Sequence, residues 1–331
     1  MSAYRQAVGA ALDALRIETP TSFRWYGELS PPLPAEVVAA MGVDSARAYL
    51  HGRLQEELYA SFYCAGEPVP KQPRRMTTQL HAASPFIDSL SRANSGTGSR
   101  ESGWTIVRTE DDGRLVVHRH GLDLWAHPEE VRGPDLGPGA EVSVTLPSEL
   151  LRLSPGFYMA LGDEELDFEE PIVRHYWHLG SSGGVALIAA ATRTLNEAGF
   201  PFRLKVLLDP ASYSRCDAGV LYTPRRLQKE VSNLLPSLRA AIAGHLRAGT
   251  PALTKPLGEG LAVAEDPSNG DSFGMHRCRL LAEGAVRAFE LGLESTEEQL
   301  GLVERCFEAQ GLAFDRPYLN AGSVDEYELV S

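Results

Sequence analysis

The sequence predicts an α+β fold: a mixed or antiparallel sheet with one strand–helix–strand crossover, and N-terminal and C-terminal helices packed on it. Three observations predict it. Apolar residues recur at helical spacing near both ends of the chain, whereas period-2 alternation broken by turn residues fills the middle. IVRHYWHL, GSSGG, VALIAAATRTLNEAG and PFRLKVLLD then follow one another as strand, turn, helix and strand, a unit long enough for a parallel crossover.

Taken in order, the first ~65 residues read as helical. Tyr4, Ala7, Val8, Ala11, Leu12 and Leu15 line one face, and RAYLHGRLQEELYASFYC (47–64) repeats the spacing after the Pro-rich connection SPPLPAE (30–36). A basic stretch, KQPRRMTTQ (71–79), and a small-residue connector, ANSGTGSRESGW (93–104), follow. From Trp104 the pattern becomes strand-like. TIVRTE-DDG-RLVVHRHG predicts a hairpin turning at Asp112-Gly113, and EVSVTL (141–146) and GFYMALG (156–162) add strands. IVRHYWHL (172–179) is a strand, VALIAAATRTLNEAG (185–199) a helix ending at Gly199, and PFRLKVLLD (201–209) and AGVLYT (218–223) strands. RRLQKEVSNLLPSLRAAIAGHLRAG is helical with a bend expected at Pro236, and two more helices span about 273–290 and 296–310. No internal repeat is visible. The division expected is an N-terminal helical region with a flexible loop (1–100) and an α+β catalytic-type domain (101–331).

Composition narrows the function. With 331 residues, 43% hydrophobic and 23% charged, the chain is long and apolar enough for a substantial core. A net charge of −13 argues against a general nucleic-acid binder. The N-terminus lacks the apolar stretch of a signal peptide, and no run approaches the ~18 apolar residues of a membrane span. Cys64, Cys216, Cys278 and Cys306 lie far apart with no finger spacing, so reduced thiols, a cytoplasmic location and no metal are expected.

The chemistry-bearing residues cluster by strand face. On 172–179, Ile172, Arg174, Tyr176 and His178 point one way and Val173, His175, Trp177 and Leu179 the other. His175 reads as a packed, hydrogen-bonded core residue. If the crossover strands are neighbours, Arg203 and Lys205 share the face of Arg174, and alternation in YSRCD groups Tyr213, Arg215 and Asp217. Such a set suits a phosphorylated ligand: Arg forks bind phosphate oxygens, a crowded Lys becomes a base, and a His supplies a proton. The alternative is a salt-bridged outer sheet face, with Asp209, Asp217 and DEELDFEE (163–170) as partners. GDSFG (270–274) matches the serine-hydrolase pattern, but a turn-forming run precedes it, so Ser272 reads as a helix N-cap. Beside it, free amide groups with His276 and Arg277 form a candidate anion site. GSSGG (180–184) lacks both the P-loop lysine and the dinucleotide spacing, and reads as a tight turn.

Taken together, FRWYGEL, LYASFYCAGEPV, ANSGTG with GW, VRHYWHL, FRLKVL, YSRCDAGVLY, GLAVAEDPSNGDSFGMHRC and RPYLNAGS resemble the Hop-A-type effector family. The resemblance runs from about residue 23 to the end. Members of that family also serve as the Y component of class V lanthipeptide synthetases. There a kinase-like partner protein phosphorylates Ser and Thr of a precursor peptide, and the Y component eliminates phosphate to leave dehydroalanine or dehydrobutyrine. The resemblance therefore implies a phosphothreonine-lyase-like enzyme without cofactor, whose partners are the phosphorylated precursor peptide and the kinase, with neither nucleic acid nor membrane. Such a reaction needs a base, an acid and cations for phosphate, and on this sequence Lys205 is expected as base, His178 as acid, and Arg174, Arg215 and Arg277 as phosphate ligands, with Arg203, Tyr176 and Lys255 in second rank. Lyase effectors of known type carry a Lys-x-His pair on one strand; here position 207 is Leu. The alternative is a non-catalytic, effector-like or scaffold module that binds a kinase or peptide.

Overall fold

The computed structural model describes residues 2–70, 84–151, 153–167, 169–267 and 269–329. The basic stretch 71–79 lies outside the described residues. Helix α1 (Ala3–Ala14) begins at Ser2, whose side chain accepts from the Arg5 N–H. Helical character then stops where the sequence reading expected it to continue. β1 (Leu15–Thr19), β2 (Ser22–Trp25) and β3 (Glu28–Leu29) form a small antiparallel meander. Its second turn has positive φ at both Tyr26 and Gly27, the two-residue geometry that matches the twist of a hairpin. Phe23 and Trp25 point inward between the less buried Ser22 and Arg24, a period-2 signal too short to stand out among helices. α2 (Ala35–Ala40) and α3 (Val43–Leu58) follow, and α3 runs on as a wide turn over Tyr59–Tyr63.

After α4 (Pro85–Ala93), ANSGTG is a pinned connector. Asn94 donates to the Ser148 carbonyl and the Tyr158 hydroxyl, and Asp163 accepts the N–H groups of Thr97 and Gly98. Strand character begins at Ser99, five residues before the expected Trp104. β4 (Ser99–Thr109), β5 (Leu115–Arg119), β6 (Leu122–Ala126), β7 (Val131–Arg132) and β8 (Glu141–Leu146) build a five-stranded sheet in the order β6-β5-β4-β8-β7. The β4–β5 hairpin turns through Asp112-Gly113 as the sequence predicts.

The larger sheet carries the site. It comprises β9 (Glu149–Leu150), β10 (Phe157–Leu161), β11 (Ile172–Trp177), β12 (Arg203–Leu207), β13 (Gly219–Pro224), β14 (Lys255–Gly258) and β15 (Leu261–Glu265). Their order is β14-β15-β11-β13-β12-β10-β9, and every neighbouring pair is antiparallel. The crossover from β11 through α5 (Ser181–Glu197) to β12 is present, but its strands are not neighbours. β13 lies between them, so β11 and β12 run parallel without touching. GSSGG is no tight turn: Gly180 is the N-cap of α5 and the rest is its first turn. A Cβ at Gly184 would lie 2.1 Å from the Tyr213 hydroxyl, so the glycine permits a close helix approach.

α5 and α6 (Gln228–Ala241) cover one face of this sheet, with Leu187, Ile188, Leu195, Val231 and Leu235 packed on Trp177, Leu204, Val206 and Leu221. The opposite face has two roofs. α1, α3, α7 (Phe273–Glu290) and α8 (Thr296–Glu308) cover the β15–β11–β13 side, where Phe62, Tyr63, Phe273 and Leu281 meet Tyr176, Val220 and Ala262. The five-stranded sheet covers the β10 side, with Trp104, Ile106 and Val144 against Met159 and Leu161. All four cysteines are free and buried. Among the described residues no helix is long and apolar enough to cross a membrane.

Candidate functional site

Residues paired directly across an antiparallel ladder share a face. The register aligns Ala264, Arg174, Tyr222, Arg203 and Leu161 in one rung, and Ala262, Tyr176, Val220, Lys205 and Met159 in the next. The predicted convergence of Arg174, Tyr176, Arg203 and Lys205 is therefore present, with β13 as the bridge and Tyr222 at its centre. These residues lie in the seam between the helical roof and the five-stranded sheet.

Lys205 is half-buried, its ammonium 4.5 Å from the Phe157 ring centre and 5.6 Å from that of Tyr222. Its charge acts on the Tyr222 hydroxyl. Burial would raise the pKa of that phenol, but Lys205 and Arg174 outweigh burial and hold it below the usual value of 10.0. The Arg174 guanidinium sits 5.1 Å from the same ring and pairs with Asp266, whose Oδ2 is 2.5 Å from Nε. Tyr176 is buried on the same face. Its hydroxyl lies near Tyr63 and Arg174 yet makes no well-formed hydrogen bond with a described residue.

At the open end, Arg215 grips Asp217 with two parallel bonds of 2.8 and 2.7 Å and donates to the Tyr59 hydroxyl at 3.1 Å. Its guanidinium is 5.9 Å from the Phe157 ring that Lys205 also faces. Burial pushes the Asp217 carboxyl up, but Arg215 and then Lys205 bring it below the ordinary carboxylate value. YSRCD is a loop rather than a strand, so Tyr213 does not join Arg215 and Asp217. It belongs to the core under α5, where it donates to the Leu207 carbonyl. Asp209 caps the turn at Pro210–Ser212, and of the acidic stretch Glu165 pairs with Arg119 and Glu170 with Arg226. The face is roofed, not an outer surface; the Arg215–Asp217 pair is the part of the salt-bridge alternative that the geometry contains.

Three candidates stand apart from this cluster or are committed elsewhere. His178 lies just beyond β11, its Nδ1 2.8 Å from the Ala248 carbonyl. A carbonyl only accepts, so Nδ1 carries the proton and Nε2 the lone pair. Burial lowers the pKa of the ring, which is neutral at pH 7. The field of Asp217 acts on both His178 and Lys205. Arg277 is fully buried, with Nε donating to Pro317, Nη2 to Leu319 and Nη1 to His276 Nδ1, so it fastens the C-terminal segment to α7. Lys255 pairs with Asp325 at 2.7 Å on β14, with β15, β11 and β13 between it and β12.

Ser272 caps α7 as predicted, accepting from the Met275 N–H. The last glycine of GDSFG has a packing role: a Cβ on Gly274 would lie 2.3 Å from the Tyr63 ring. His175 is completely buried, but neither ring nitrogen has a hydrogen-bond partner among the described residues, contrary to the expected hydrogen-bonded state. Sequence reading missed Tyr222, Phe157, Tyr59 and Asp266. The alternation of Val220 and Tyr222 in AGVLYT carried the signal for Tyr222, but only the strand order gives it meaning. Among the described residues, no three His, Cys, Asp or Glu converge as a metal ion would need.

A sequence model of the HopA1 effector protein family matches residues 149–319, which hold every strand of the larger sheet and every site residue expected from the sequence, though not Tyr59. No curated protein matches the chain. Among solved structures, the effector protein from Pseudomonas syringae pv. tomato strain DC3000 is 16% identical, with 87% of this chain and 94% of that chain covered and a TM-score of 0.47. The effector protein from Pseudomonas syringae pv. syringae strain 61 is 16% identical over 87% and 93%, with a TM-score of 0.45.

Proposed function

The chain belongs to the HopA1 effector protein family, and we propose that it is a phosphoserine/phosphothreonine lyase acting on a kinase-phosphorylated peptide, as in lanthipeptide biosynthesis. The observation that carries this reading is the Lys205–Tyr222 pair in a seam flanked by Arg174, Arg203 and Arg215. Elimination needs a base for the α-proton, cations for the phosphate oxygens and a proton source for the leaving group. Lys205, in its neutral form, takes the Cα proton. The electron pair of the C–H bond becomes the Cα=Cβ π bond, the Cβ–O bond breaks, and inorganic phosphate departs with the Cβ–O pair and takes a proton from the acid. Arg215 and Arg174 are the nearest phosphate ligands and would exchange part of their carboxylate contacts for phosphate.

Two groups compete for the acid role. Tyr222 lies beside Lys205, and once Lys205 has taken the Cα proton, Lys205 and Arg174 together hold the phenol's pKa below its ordinary value and ready it to donate to the departing phosphate. His178 is neutral with its Nδ1–H committed to a carbonyl, so it donates to phosphate only after gaining a proton at Nε2. Tyr222 is the better placed. The second reading, a non-catalytic module binding a kinase or peptide, draws on the fact that Arg174 and Arg215 are ion-paired within the chain.

The deciding experiment incubates the protein with a phosphoserine or phosphothreonine peptide and follows mass. Loss of phosphoric acid, leaving a thiol-reactive alkene, is the expected result. Regain of the hydroxyl would make the protein a phosphatase. An unchanged mass with cognate, kinase-treated precursor would favour the binding module.

A further inference from the structure

On the α6 side of the larger sheet, away from the seam, a cavity of ≈ 280 Å³ lies between the first turns of α6 and the C-terminal segment. Gln228, Lys229 and Ser232 form one wall, Glu326 and Glu328 the other. The second wall is fastened by its neighbours. Arg225, just before α6, donates to the Ser323 hydroxyl and the Val324 carbonyl, Asp325 pairs with Lys255, and the buried Tyr327 donates to Glu265 at 2.7 Å. Glu326 and Glu328, exposed on either side of Tyr327, both border the cavity. Gln228 is 4% exposed; its Nε2 donates to Ser232 at 2.9 Å, and its Oε1 has no hydrogen-bond partner among the described residues. The wall therefore holds a buried acceptor that an incoming donor would satisfy. Among the described residues no ion pair engages Glu326, Glu328 or Lys229, and one ammonium cannot neutralise two carboxylates. An amide oxygen and an excess of carboxylate call for a cation. A guanidinium suits them, being planar, permanently charged and endowed with five N–H donors and no acceptor. The volume is below the range of whole-ligand pockets and matches one long side chain.

We propose that this cavity is a docking subsite for an arginine side chain of a basic polypeptide partner, with Gln228 Oε1 and the Glu326 and Glu328 carboxylates as its acceptors. The net charge of −13 draws such a partner toward the chain, and the cavity gives it a defined place to bind. The subsite is separate from the seam and stands whether or not the seam is a lyase centre.

The test titrates the full chain with acetyl-Gly-Arg-Gly-amide, its Lys and Gln counterparts and free arginine, following the backbone amide signals of residues 228–232 and 326–328 by NMR. The Arg peptide shifts these signals saturably and binds at least fivefold more tightly than the Lys or Gln peptide. Free arginine binds more weakly than the Arg peptide, because its own carboxylate meets Glu326 and Glu328. Gln228→Leu and the double variant Glu326→Gln with Glu328→Gln each weaken binding of the Arg peptide at least fivefold. The double variant changes only exposed residues, so it reads the subsite even if Gln228→Leu disturbs folding. Glu294→Gln with Glu308→Gln, at exposed positions flanking α8, removes the same charge elsewhere and leaves binding unchanged. Equal affinity for the Arg and Gln peptides overturns the subsite. Equal weakening in the α8 double variant also overturns it, since net charge alone would then account for binding. Lys binding as tightly as Arg, or free arginine as tightly as the Arg peptide, overturns the assignment to an arginine of a polypeptide.

Discussion

Lys205 and Tyr222 are diagonal neighbours on β12 and β13, the ammonium lying 5.6 Å from the centre of the phenol ring. The cation stabilises the phenolate form of Tyr222. This coupling can be measured without substrate. Tyrosinate absorbance against pH should reveal a phenol that ionises below the ordinary value and is lost in Tyr222→Phe. In Lys205→Met the same phenol titrates higher, because burial then faces less opposition. Identical titration curves for wild type and Lys205→Met would contradict the coupling.

If Lys205 is the base, Lys205→Met lowers kcat for elimination by about 10²–10⁴-fold, the range of a lost general base, with little change in KM. Thermal stability changes modestly, since the contact with Phe157 is worth about 0.5–1 kcal/mol at a partly exposed site. A large rise in KM with kcat intact would instead make Lys205 a phosphate ligand.

Arg215 has two possible roles, and a double-mutant cycle separates them. Arg215→Ala alone strands Asp217, which is 4% exposed, and should destabilise by about 3–5 kcal/mol. Removing both partners with Asp217→Ala should return much of that stability. If Arg215 also binds phosphate, the double variant is stable and still impaired. Stability and elimination recovering together would confine Arg215 to a structural pairing.

Much of this arrangement was legible in the sequence. The alternation in IVRHYWHL and PFRLKVLLD paired Arg174 with Tyr176 and Arg203 with Lys205, because strand parity is a local property. Joining the two pairs on one face rested on neighbouring strands, whereas β13 lies between them. Strand order is not local. Nothing in AGVLYT says that it lies between β11 and β12, so Tyr222 at the centre of the cluster went unread. The same limit explains Arg277 and Lys255: residue type suggested phosphate, but long-range contacts to Pro317, Leu319 and Asp325 decide where their donors go. The β1–β3 meander was missed because its strands are short and flanked by strong helical patterns.

Gly274 shows how a motif-like residue can serve packing. Any Cβ there meets the Tyr63 ring, which stacks on Tyr59 at 5.3 Å between centroids. Gly274→Ala should therefore cost about 1–3 kcal/mol by overpacking, read from urea midpoints, and disturb Tyr59, a ligand of Arg215. Ser272→Ala, by contrast, removes only the cap, costing about 1 kcal/mol. Undiminished elimination per folded molecule in Ser272→Ala excludes it as a nucleophile.

His175 sets an acid limit on stability. Burial alone lowers its pKa from 6.5 to about 3, and both ring nitrogens lack partners among the described residues. The native state keeps the ring neutral while the unfolded chain protonates it below about 6.5, so the unfolded state binds more protons. This contribution is complete above pH 6.5 and is lost as pH falls toward 3, by about 1.4 kcal/mol for each pH unit. His276, lowered to about 4 by burial and then by Arg277, acts in the same direction. His175→Leu removes two buried unsatisfied atoms, so its stability near neutrality should equal or exceed that of wild type. Below pH 6.5 its loss of stability should be shallower, with the remaining slope due to His51, His178 and His276. At lower pH, carboxylates such as Asp217 and Glu283, which the fold holds below their ordinary values, add to that slope. Urea denaturation across this pH range measures both effects. A slope unchanged by His175→Leu would mean that the buried ring finds a proton partner on acidification.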